Sequence, residues 1–414
     1  MHESMLTRRA ILRGTAGAAA LAASGIAFGP RRTAARQDVT LRWWDYYDSG
    51  ANAEAMKNQL QRYMDSHPGV TIERTALPFA DLKQQLLQGA AAGQLPDVVV
   101  IDNPDHQAFA ALGVLEDITE RVAAWGQADA YFEGPWASTL WEGKNYGIPD
   151  NSNCLVQFVN SDMLSATEVA PPTNWEELTA AAATLTEGDR FGLAVSAVKS
   201  EEGTFQWLPF LWETGEDIPT LDSEGGQRAL QLWVDLVNNG HMSKGILGWT
   251  QQDVLTQFQN GKAAIMVNGP WQVPVLKEQN PDLKWDVATL PVDKQGASIL
   301  GGENMAIVAG GPNVDAAWEL LAWTQETENL KQYLSEAGKL PSRADLAEDP
   351  YWTDDPVYGV FVEQLKVAKP RAYGSKYPEI SNAIQEAIQG AVSGQVSAAD
   401  ALAKAQATIT PLLP

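Results

Sequence analysis

The chain contains very little of what proteins use to build disulfides and metal centres. Its 414 residues include one cysteine, Cys154, and four histidines that stand far apart in the sequence. One thiol cannot form an intrachain disulfide or a multi-thiol metal site, and an unpaired cysteine usually packs as a small buried hydrophobe. We therefore predict no metal site, no cofactor and a packing role for Cys154.

Short catalytic motifs are missing as well. The sequence has no Gly-x-Ser-x-Gly elbow, no His-Glu-x-x-His pair and no phosphate loop ending in Gly-Lys-Ser/Thr. Carboxylates are plentiful, but a glycosidase pair is defined by a separation in space that a sequence does not provide. We assign no catalytic residues and predict that the protein is not an enzyme, with a secreted carbohydrate-active hydrolase as the enzyme alternative.

Basic residues are scarce beyond the N-terminus. The whole chain has 29 lysines and arginines against 52 acidic residues, which gives a formal net charge of -23. Arginines are concentrated in the first 37 positions, and beyond them 23 basic residues face 51 acidic ones. Such a surface repels phosphate backbones and anionic lipids, so we predict no nucleic-acid partner and no membrane-surface partner.

The N-terminal segment has the pattern of an export signal. Residues 7–13 carry the pair Arg8 and Arg9, and the weakly apolar stretch 14–28 follows. This stretch is too short to cross a bilayer, and no cysteine follows it, as a lipoprotein would require. We predict that residues 1–37 are a twin-arginine signal peptide and that the mature chain begins near Gln37 or Asp38. The protein would then lie at the periplasmic or extracellular face of the membrane.

After residue 38 the chain alternates between strand-like and helix-like segments. Residues 39–44 and 70–77 are rich in strand-forming residues, and residues 52–66 between them have helical spacing. The continuous apolar run 98–101 is typical of a parallel strand covered on both faces. A second set of alternating segments begins after Pro149. The pattern predicts an α/β protein, and the length predicts two lobes.

Several segments occur in an order that resembles a known family. They resemble the family 1 extracellular solute-binding proteins of ABC transporters, the group that contains the maltose- and sugar-binding proteins. The segments are 95–104, 109–119, 147–149, 159–163, 229–242, 258–271, 301–304 and 393–409. The match at 258–271, which ends in Asn-Gly-Pro-Trp, is the strongest of them.

This resemblance implies a two-lobed periplasmic-binding-protein type II fold with a hinge and a ligand cleft between the lobes. The first lobe would hold residues 38–149 and 294–336, and the second lobe residues 150–293 and 337–414. The protein would capture a sugar by closing its lobes and deliver it to the permease subunits of an importer. Delivery of this kind requires only a monomer.

Candidate binding residues come from two arguments. The carboxyl ends of strands in open α/β sheets form ligand sites, and aromatic faces and planar polar side chains suit a sugar. These positions predict Trp43, Trp44, Asp45, Tyr46, Tyr47, Asp102 and Asn103. The family resemblance adds Phe205, Trp207, Trp249, Trp271, Glu303, Asn304, Arg371 and Tyr373.

The ligand class is open at this point. The abundance of tryptophan, 15 residues, favours stacking on a sugar. A polyamine would suit the acidic surface and predicts a cleft richer in carboxylates than in amides. A peptide or a metal complex is a further alternative.

Overall fold

The computed structural model of the protein describes residues Asp38–Pro414. The predicted signal peptide over residues 1–37 lies outside the described residues. None of the helices between Asp38 and Pro414 combines the length and the apolar character needed to cross a membrane. The strands are β1 (Val39–Asp45), β2 (Val70–Ala76), β3 (Val98–Asp102), β4 (Leu140–Trp141), β5 (Lys144–Asn145), β6 (Ile148–Pro149), β7 (Val156–Asn160), β8 (Phe191–Ala194), β9 (Ala263–Asn268), β10 (Trp285–Ala288), β11 (Ser298–Leu300), β12 (Glu303–Ile307) and β13 (Ala368–Pro370).

The α-helices are interspersed among these strands, with four short 3-10 turns in addition. They are α1 (Gly50–Ser66), α2 (Phe79–Ala92), α3 (Asn103–Ala111), α4 (Thr119–Trp125), α5 (Glu133–Ala137), α6 (Ser161–Ala166), α7 (Trp175–Leu185), α8 (Glu201–Glu213), α9 (Glu224–Asn238), α10 (Gln251–Gln259), α11 (Gln272–Gln279), α12 (Val314–Thr324), α13 (Thr327–Ala337), α14 (Ala344–Ala347), α15 (Pro350–Thr353), α16 (Pro356–Leu365), α17 (Tyr377–Val392) and α18 (Ala398–Ile409).

The two lobes are built on two separate sheets. The first sheet has five strands in the order β2-β1-β3-β12-β6, and β12 runs antiparallel to both of its neighbours. The second has four strands in the order β10-β7-β9-β8. The predicted α/β class and two-lobed architecture are confirmed.

Helix caps and apolar faces explain why the helices form where they do. In α9 the hydroxyl of Ser223 accepts a hydrogen bond from the backbone N–H of Gly226, which caps the helix. Its buried face includes Leu230, Trp233 and Val237, at the spacing of one helical stripe. Trp233 therefore packs in the core, and the expected packing role of Cys154, which is fully buried, is confirmed.

Three chain segments pass between the two sheets and are hydrogen-bonded to one another. In the first, Ser152 exchanges backbone hydrogen bonds with Leu340, and Asn153 exchanges them with Gly301. Gly302 has a φ of +139°, and a Cβ there would lie 2.2 Å from the carbonyl oxygen of Asn151. Only glycine fits this close approach between two crossings, so the crossings form one compact hinge.

The return crossing bears on where the first lobe resumes. Strand β11 pairs in parallel with β13, and the backbone N–H of Lys294 donates to the carbonyl of Glu213 in α8. Residues 294–300 therefore pack with elements of the second lobe. We propose that the chain re-enters the first lobe at Gly301–Gly302, rather than at residue 294 as the family resemblance implied.

Candidate ligand-binding cleft

Polar side chains of the first lobe collect at one edge of its sheet. Strands β1 and β3 run parallel, so their carboxyl ends, at Asp45 and Asp102, lie at the same edge. Strand β12 runs the other way, and its first residue, Glu303, is paired with Asp102 in the register of the two strands. The backbone N–H of Asp150, which follows β6, donates to the carbonyl of Glu303 at 2.7 Å. This edge faces the hinge and the second lobe.

Glu303 is the centre of a buried hydrogen-bonded network next to the hinge. Its carboxylate accepts from the Lys339 ammonium at 2.6 Å and from the Tyr46 hydroxyl at 2.6 Å. The same ammonium lies 4.5 Å from the centre of the Tyr47 ring and 3.2 Å from its hydroxyl. Burial raises the pKa of Glu303, but Lys339 and the hydrogen bonds outweigh burial and hold this pKa below its ordinary value. The carboxylate is therefore ionised.

Arg371 joins the two lobes directly. It follows β13, and its guanidinium makes a bidentate pair with Asp102 at 2.9 Å for both contacts. It also donates to Asn103 at 3.1 Å and to Glu201, in the first turn of α8, at 2.7 Å. The Arg371 side chain is only 1% exposed. We call this set, Arg371 with Asp102, Asn103 and Glu201, the cross-cleft clasp.

An aromatic ring and an amide lie beside the clasp. The guanidinium of Arg371 is 4.8 Å from the centre of the Phe205 ring. A Cβ placed on Gly301 would lie 2.1 Å from the Oδ1 atom of Asn153 and 2.8 Å from the Phe205 ring. The hinge glycine, the amide and the ring are therefore in mutual contact at the base of the cleft.

The second lobe contributes two further polar and aromatic groups. Glu202 accepts a hydrogen bond from the backbone N–H of Gln251 at 2.6 Å. Burial raises the pKa of Glu202 to about 7, and Asp48 of the first lobe is close enough to contribute to this increase. Trp249, two residues before Gln251, is half-buried and packs against the core of the second lobe.

Trp271 stands at the start of α11 with its indole folded over the preceding turn. A Cβ placed on Gly269 would lie 1.9 Å from this indole, so the turn admits only glycine. The Trp271 ring is half-buried and packs on the second-lobe core.

Buried oxygen atoms without a hydrogen-bond partner concentrate around the cleft. Among the described residues, they include Oδ1 of Asp150, Asn151 and Asn153 and Oε1 of Gln272. Each of these side chains is at least nine-tenths buried. Because a buried polar atom without a partner costs free energy, the cleft is suited to a ligand that supplies hydrogen-bond donors.

Comparison with known proteins identifies the family. The sequence profile of the bacterial extracellular solute-binding proteins matches residues 58–359, which is most of the chain. The chain belongs to this family of solute-binding proteins. A putative binding protein of Brucella abortus is 24% identical over 363 residues, covering 83% of this chain and 87% of that protein. The maltotriose-binding protein of Pyrococcus abyssi is 26% identical over 358 residues, covering 80% of this chain and 74% of that protein.

A solved structure shows the same architecture. An ABC transporter solute-binding protein of Thermotoga lettingae, bound with α-D-tagatose, superposes with a TM-score of 0.85 and 25% sequence identity. The alignment covers 91% of this chain and all of that one. The fold expected from the resemblance is thus confirmed for this solute-binding protein.

The structure brings together seven of the residues expected at the binding site. They contact one another or share the Glu303 network and the clasp, which link both lobes. They are Tyr46, Tyr47, Asp102, Asn103, Phe205, Glu303 and Arg371.

Three expected residues of β1 are placed in the first lobe instead, which corrects their assignment. Trp43 is fully buried in the core, and its indole N–H donates to Asp45 at 2.9 Å. Asp45 is fully occupied because it also makes a bidentate pair with Arg74. Trp44 packs on the opposite face against the cluster that contains Val99. Strand alternation sends neighbouring side chains to opposite faces, so neither indole extends past the strand end.

Three further expected residues lie outside the clasp and the Glu303 network. Trp207 is fully buried in the second-lobe core. The amide of Asn304 donates to Ser138 at 2.9 Å, on the opposite side of β12 from Glu303. The hydroxyl of Tyr373 donates to Asp217, a residue of the second lobe outside the clasp.

Sequence reasoning missed the polar residues of the hinge and of the α8 start. Asp150, Asn151 and Asn153 form a polar run between Pro149 and an apolar strand, and this run could have been noticed as a crossing with functional side chains. Glu201 and Lys339 carry no comparable local signal, because each is one charged residue among many.

Proposed function

We propose that the protein is the extracytoplasmic substrate-binding component of an ABC importer and that it captures a sugar. The lobes close over the ligand and the closed form delivers it to the permease subunits, with the protein acting as a monomer. The main support for this proposal is the composition of the cleft. Buried oxygen atoms without a hydrogen-bond partner lie there beside aromatic rings, which suit the C–H faces of a sugar. Two relatives support the sugar class, since one is named for maltotriose and the other holds tagatose.

The proposed contacts divide between the lobes. Hydroxyl groups would donate to the hinge amides and to the strand-end carboxylates, while ring faces would stack on the aromatic side chains. The residues we propose for ligand contact are Tyr46, Tyr47, Asn103, Asn151, Asn153, Phe205, Trp249, Trp271, Gln272 and Glu303. Asp102 and Arg371 would act by joining the lobes around the ligand.

A ligand screen by thermal denaturation and calorimetry tests this function. The panel contains mono-, di- and trisaccharides of glucose, galactose and mannose configuration, tagatose, and spermidine as the polyamine alternative. A ligand at a hundred times its Kd stabilises the folded state by about 2.7 kcal/mol, which a shift in Tm detects. Stabilisation by spermidine with none by any sugar would reject the proposal.

Trp271→Ala tests the stacking role separately. We expect the sugar affinity to fall at least about tenfold, because a ring face is lost from the cleft. Trp318→Ala is the matched control, since Trp318 is a half-buried indole that packs on Trp125 in the first lobe. Equal affinities of the Trp271 variant and the unaltered protein would remove this residue from the site.

We also propose that residues 1–37 direct twin-arginine export and that the protein is not lipid-anchored through this segment. A reporter fused after residue 37 should leave the cytoplasm, and the double change Arg8→Lys with Arg9→Lys should block its export. Arg13→Lys is the control. Export that persists in the double variant would contradict the twin-arginine route.

A further inference from the structure

Five carboxylates lie at the hinge, at the strand ends and at the start of α8. Asp150 hydrogen-bonds through its backbone to Glu303, and Glu303 is the register partner of Asp102 on the adjacent strand. Arg371 connects Asp102 to Glu201, and Glu202 is the next residue in the first turn of α8. We call Asp102, Asp150, Glu201, Glu202 and Glu303 the cleft carboxylates.

Only two cations accompany these five acids. Lys339 pairs with Glu303, and Arg371 is shared by Asp102 and Glu201. Asp150 and Glu202 have no ion-pair partner among the residues from Asp38 to Pro414. Asp150 accepts hydrogen bonds from the Tyr333 hydroxyl and the Asn151 side-chain amide, and Glu202 accepts one from the backbone N–H of Gln251. With all carboxylates ionised, the cleft therefore has a charge of -3.

The numbers of hydrogen-bond acceptors and donors in the cleft also favour a cationic ligand. The partnerless atoms of Asp150, Asn151, Asn153 and Gln272 are all acceptors, the partnerless Ser152 hydroxyl can donate or accept, and Arg371 Nε and Gln251 Nε2 are donors. The protein therefore presents more acceptors than donors to whatever lies between the lobes. A hydroxyl both donates and accepts, but an ammonium group donates three hydrogen bonds and accepts none.

We infer that the solute is a basic sugar, one that bears an ammonium group on its ring or chain. This inference rests on the proposed function and narrows it from sugars in general to amino sugars. The ammonium group would lie against Glu202 or Asp150, the two cleft carboxylates that form no salt bridge with the described part of the chain, although the Lys339 ammonium is close enough to Asp150 to offset part of the rise in pKa that burial causes. The neighbouring amide oxygens would accept its remaining protons. Ring hydroxyls and faces would use the contacts already proposed.

Lobe closure is the reason why the charge of the sugar should affect its affinity. Closing the lobes buries the cleft carboxylates, and a buried charge without a partner is costly. Burial raises the pKa of Asp150 to about 6 and that of Glu202 to about 7. A neutral sugar leaves this cost in place, or requires the carboxyl groups to take up protons. An ammonium group supplies the missing positive charge.

The acidic character continues along the lobe interface. A cavity of about 470 Å³ lies between α1 of the first lobe and α11 of the second. Its carboxylates are Asp48, Glu54, Glu278 and Glu336. Lys57 pairs with Glu54 and Arg62 with Glu336, so Asp48 and Glu278 are the two carboxylates that form no salt bridge there with any described residue. Asp48 also contributes to the raised pKa of Glu202. A cationic ligand would thus be attracted from outside as well as held inside.

Matched sugars that differ in one group test the inference. Glucose, glucosamine and N-acetylglucosamine carry a hydroxyl, an ammonium or an acetamido group at the same carbon, and cellobiose, chitobiose and diacetylchitobiose repeat this series as disaccharides. Galactose and galactosamine, and mannose and mannosamine, extend the pairs. At about pH 6.5 we expect the ammonium form of at least one series to bind about tenfold or more tightly than its hydroxyl form.

Each result separates this inference from the proposed function. If, in every series that binds, the hydroxyl or acetamido sugar binds as tightly as its ammonium counterpart, the basic-sugar inference is overturned and sugar capture is left intact. Binding of spermidine without binding of any sugar overturns both. Tighter binding of the ammonium form that weakens as salt is added supports both.

Variants that remove one negative charge show which carboxylate contacts the ammonium group. Glu202→Gln and Asp150→Asn keep the shape and hydrogen-bonding reach but remove one negative charge each. In at least one of them the ratio of ammonium-sugar to hydroxyl-sugar affinity should fall severalfold. Glu176→Gln is the matched control, because Glu176 lies in the first turn of α7 as Glu202 does in α8, but it is exposed to solvent. An unchanged ratio in both cleft variants would overturn the inference.

The pH dependence gives an independent measurement. Burial raises the pKa of Asp102 and Glu202 to about 7 and that of Asp150 to about 6, with Arg371 and Glu201 facing Asp102, Lys339, Glu303 and Tyr333 facing Asp150, and Asp253 and Asp48 facing Glu202. For a neutral sugar, the affinity should therefore decrease as the pH rises from the ordinary carboxyl pKa values, 3.8 and 4.5, to about 6 to 7, and should level off above that range. For an amino sugar this decrease should be smaller, because the ammonium group compensates one of the negative charges. Identical pH profiles for the two sugars would contradict the inference.

Discussion

Two buried ion-pair networks lie side by side in the cleft and differ in how their partners are connected. Glu303 and Lys339 both belong to the hinge region, where the crossing segments hydrogen-bond to one another. Arg371 and Asp102 belong to different lobes and meet only across the cleft. Their carboxylates are neighbours in one sheet, yet the proposed opening would leave the first pair intact and would break the second. Both pairs are buried, so burial does not distinguish them. Their position relative to the hinge does: the Glu303–Lys339 pair is structural, and the Asp102–Arg371 pair depends on closure.

The substitution Lys339→Met should have the largest effect on stability among the tests of this comparison. The substitution leaves Glu303 charged and buried without its cation, and we expect the free energy of unfolding to fall by about 3–5 kcal/mol. Urea denaturation measures the loss. Lys331→Met is the control, because Lys331 pairs with Asp349 near the surface and its removal should cost about 1 kcal/mol or less. Equal losses in the two variants would contradict the structural role of the hinge pair.

Arg371→Met should destabilise the fold less and change its shape more. The uncompensated carboxylates of Asp102 and Glu201 can regain water when the lobes separate, so we expect a loss of about 2 kcal/mol or less. Small-angle scattering should show a larger radius of gyration, and Arg228→Met, which removes a surface pair with Asp293, should not. A loss as large as that of Lys339→Met, with unchanged scattering, would show that the clasp is as fixed as the hinge pair.

Acid titration sharpens the contrast between Glu303 and its neighbour Asp150. The pKa of Glu303 is lowered in the folded protein, so its contribution is present above the ordinary value of 4.5 and disappears as the pH falls through the lowered pKa. The stability difference between the unaltered protein and Glu303→Gln should therefore shrink in acid, as urea denaturation at several pH values would show.

Asp150 should behave in the opposite sense. Its pKa is raised from 3.8 to about 6, so the folded state loses stability as the pH rises through that interval. Asp150→Asn should remove this loss and gain in relative stability above about pH 6. If the stability contributions of Glu303 and Asp150 changed with pH in the same direction, the proposed difference between the two carboxyl groups would be wrong.

The smallest expected effect belongs to the tyrosine that completes the hinge network. Tyr46→Phe removes a hydroxyl that donates to the buried Glu303 carboxylate, and we expect it to cost about 1–2 kcal/mol in urea denaturation. Tyr351→Phe, which changes a more exposed hydroxyl, should stay within about 0.5 kcal/mol. A cost for Tyr46→Phe that matches this control would exclude its hydroxyl from the network.

Strand ends were predictable from the sequence because they depend on neighbouring residues. The apolar run before Asp102 and the aromatic-rich strand before Tyr46 indicate where two strands stop, and both residues lie in the cleft. Trp43 and Trp44 were assigned to the cleft with less success, since a strand places successive side chains on opposite faces and both indoles pack within the first lobe.

The partners of these residues were not predictable from local pattern. Tyr46 and Glu303 are separated by 257 positions, and Arg371 and Asp102 by 269. A lysine such as Lys339 looks like any solvated charge until the fold places it against Glu303. The same holds for Glu201 and Glu202, which read as ordinary first-turn acids that favour a helix N-terminus.

The sequence by itself determined the α/β class, the order of the elements and, through ordered motifs, the family to which the chain belongs. These follow from periodicity and from turn and cap residues, which act over a few positions. Only the tertiary structure decided which polar groups meet, which carboxylates lack a cation and which pair spans the cleft. Those outcomes depend on contacts between distant segments, and their free energies depend on burial, which no local pattern specifies.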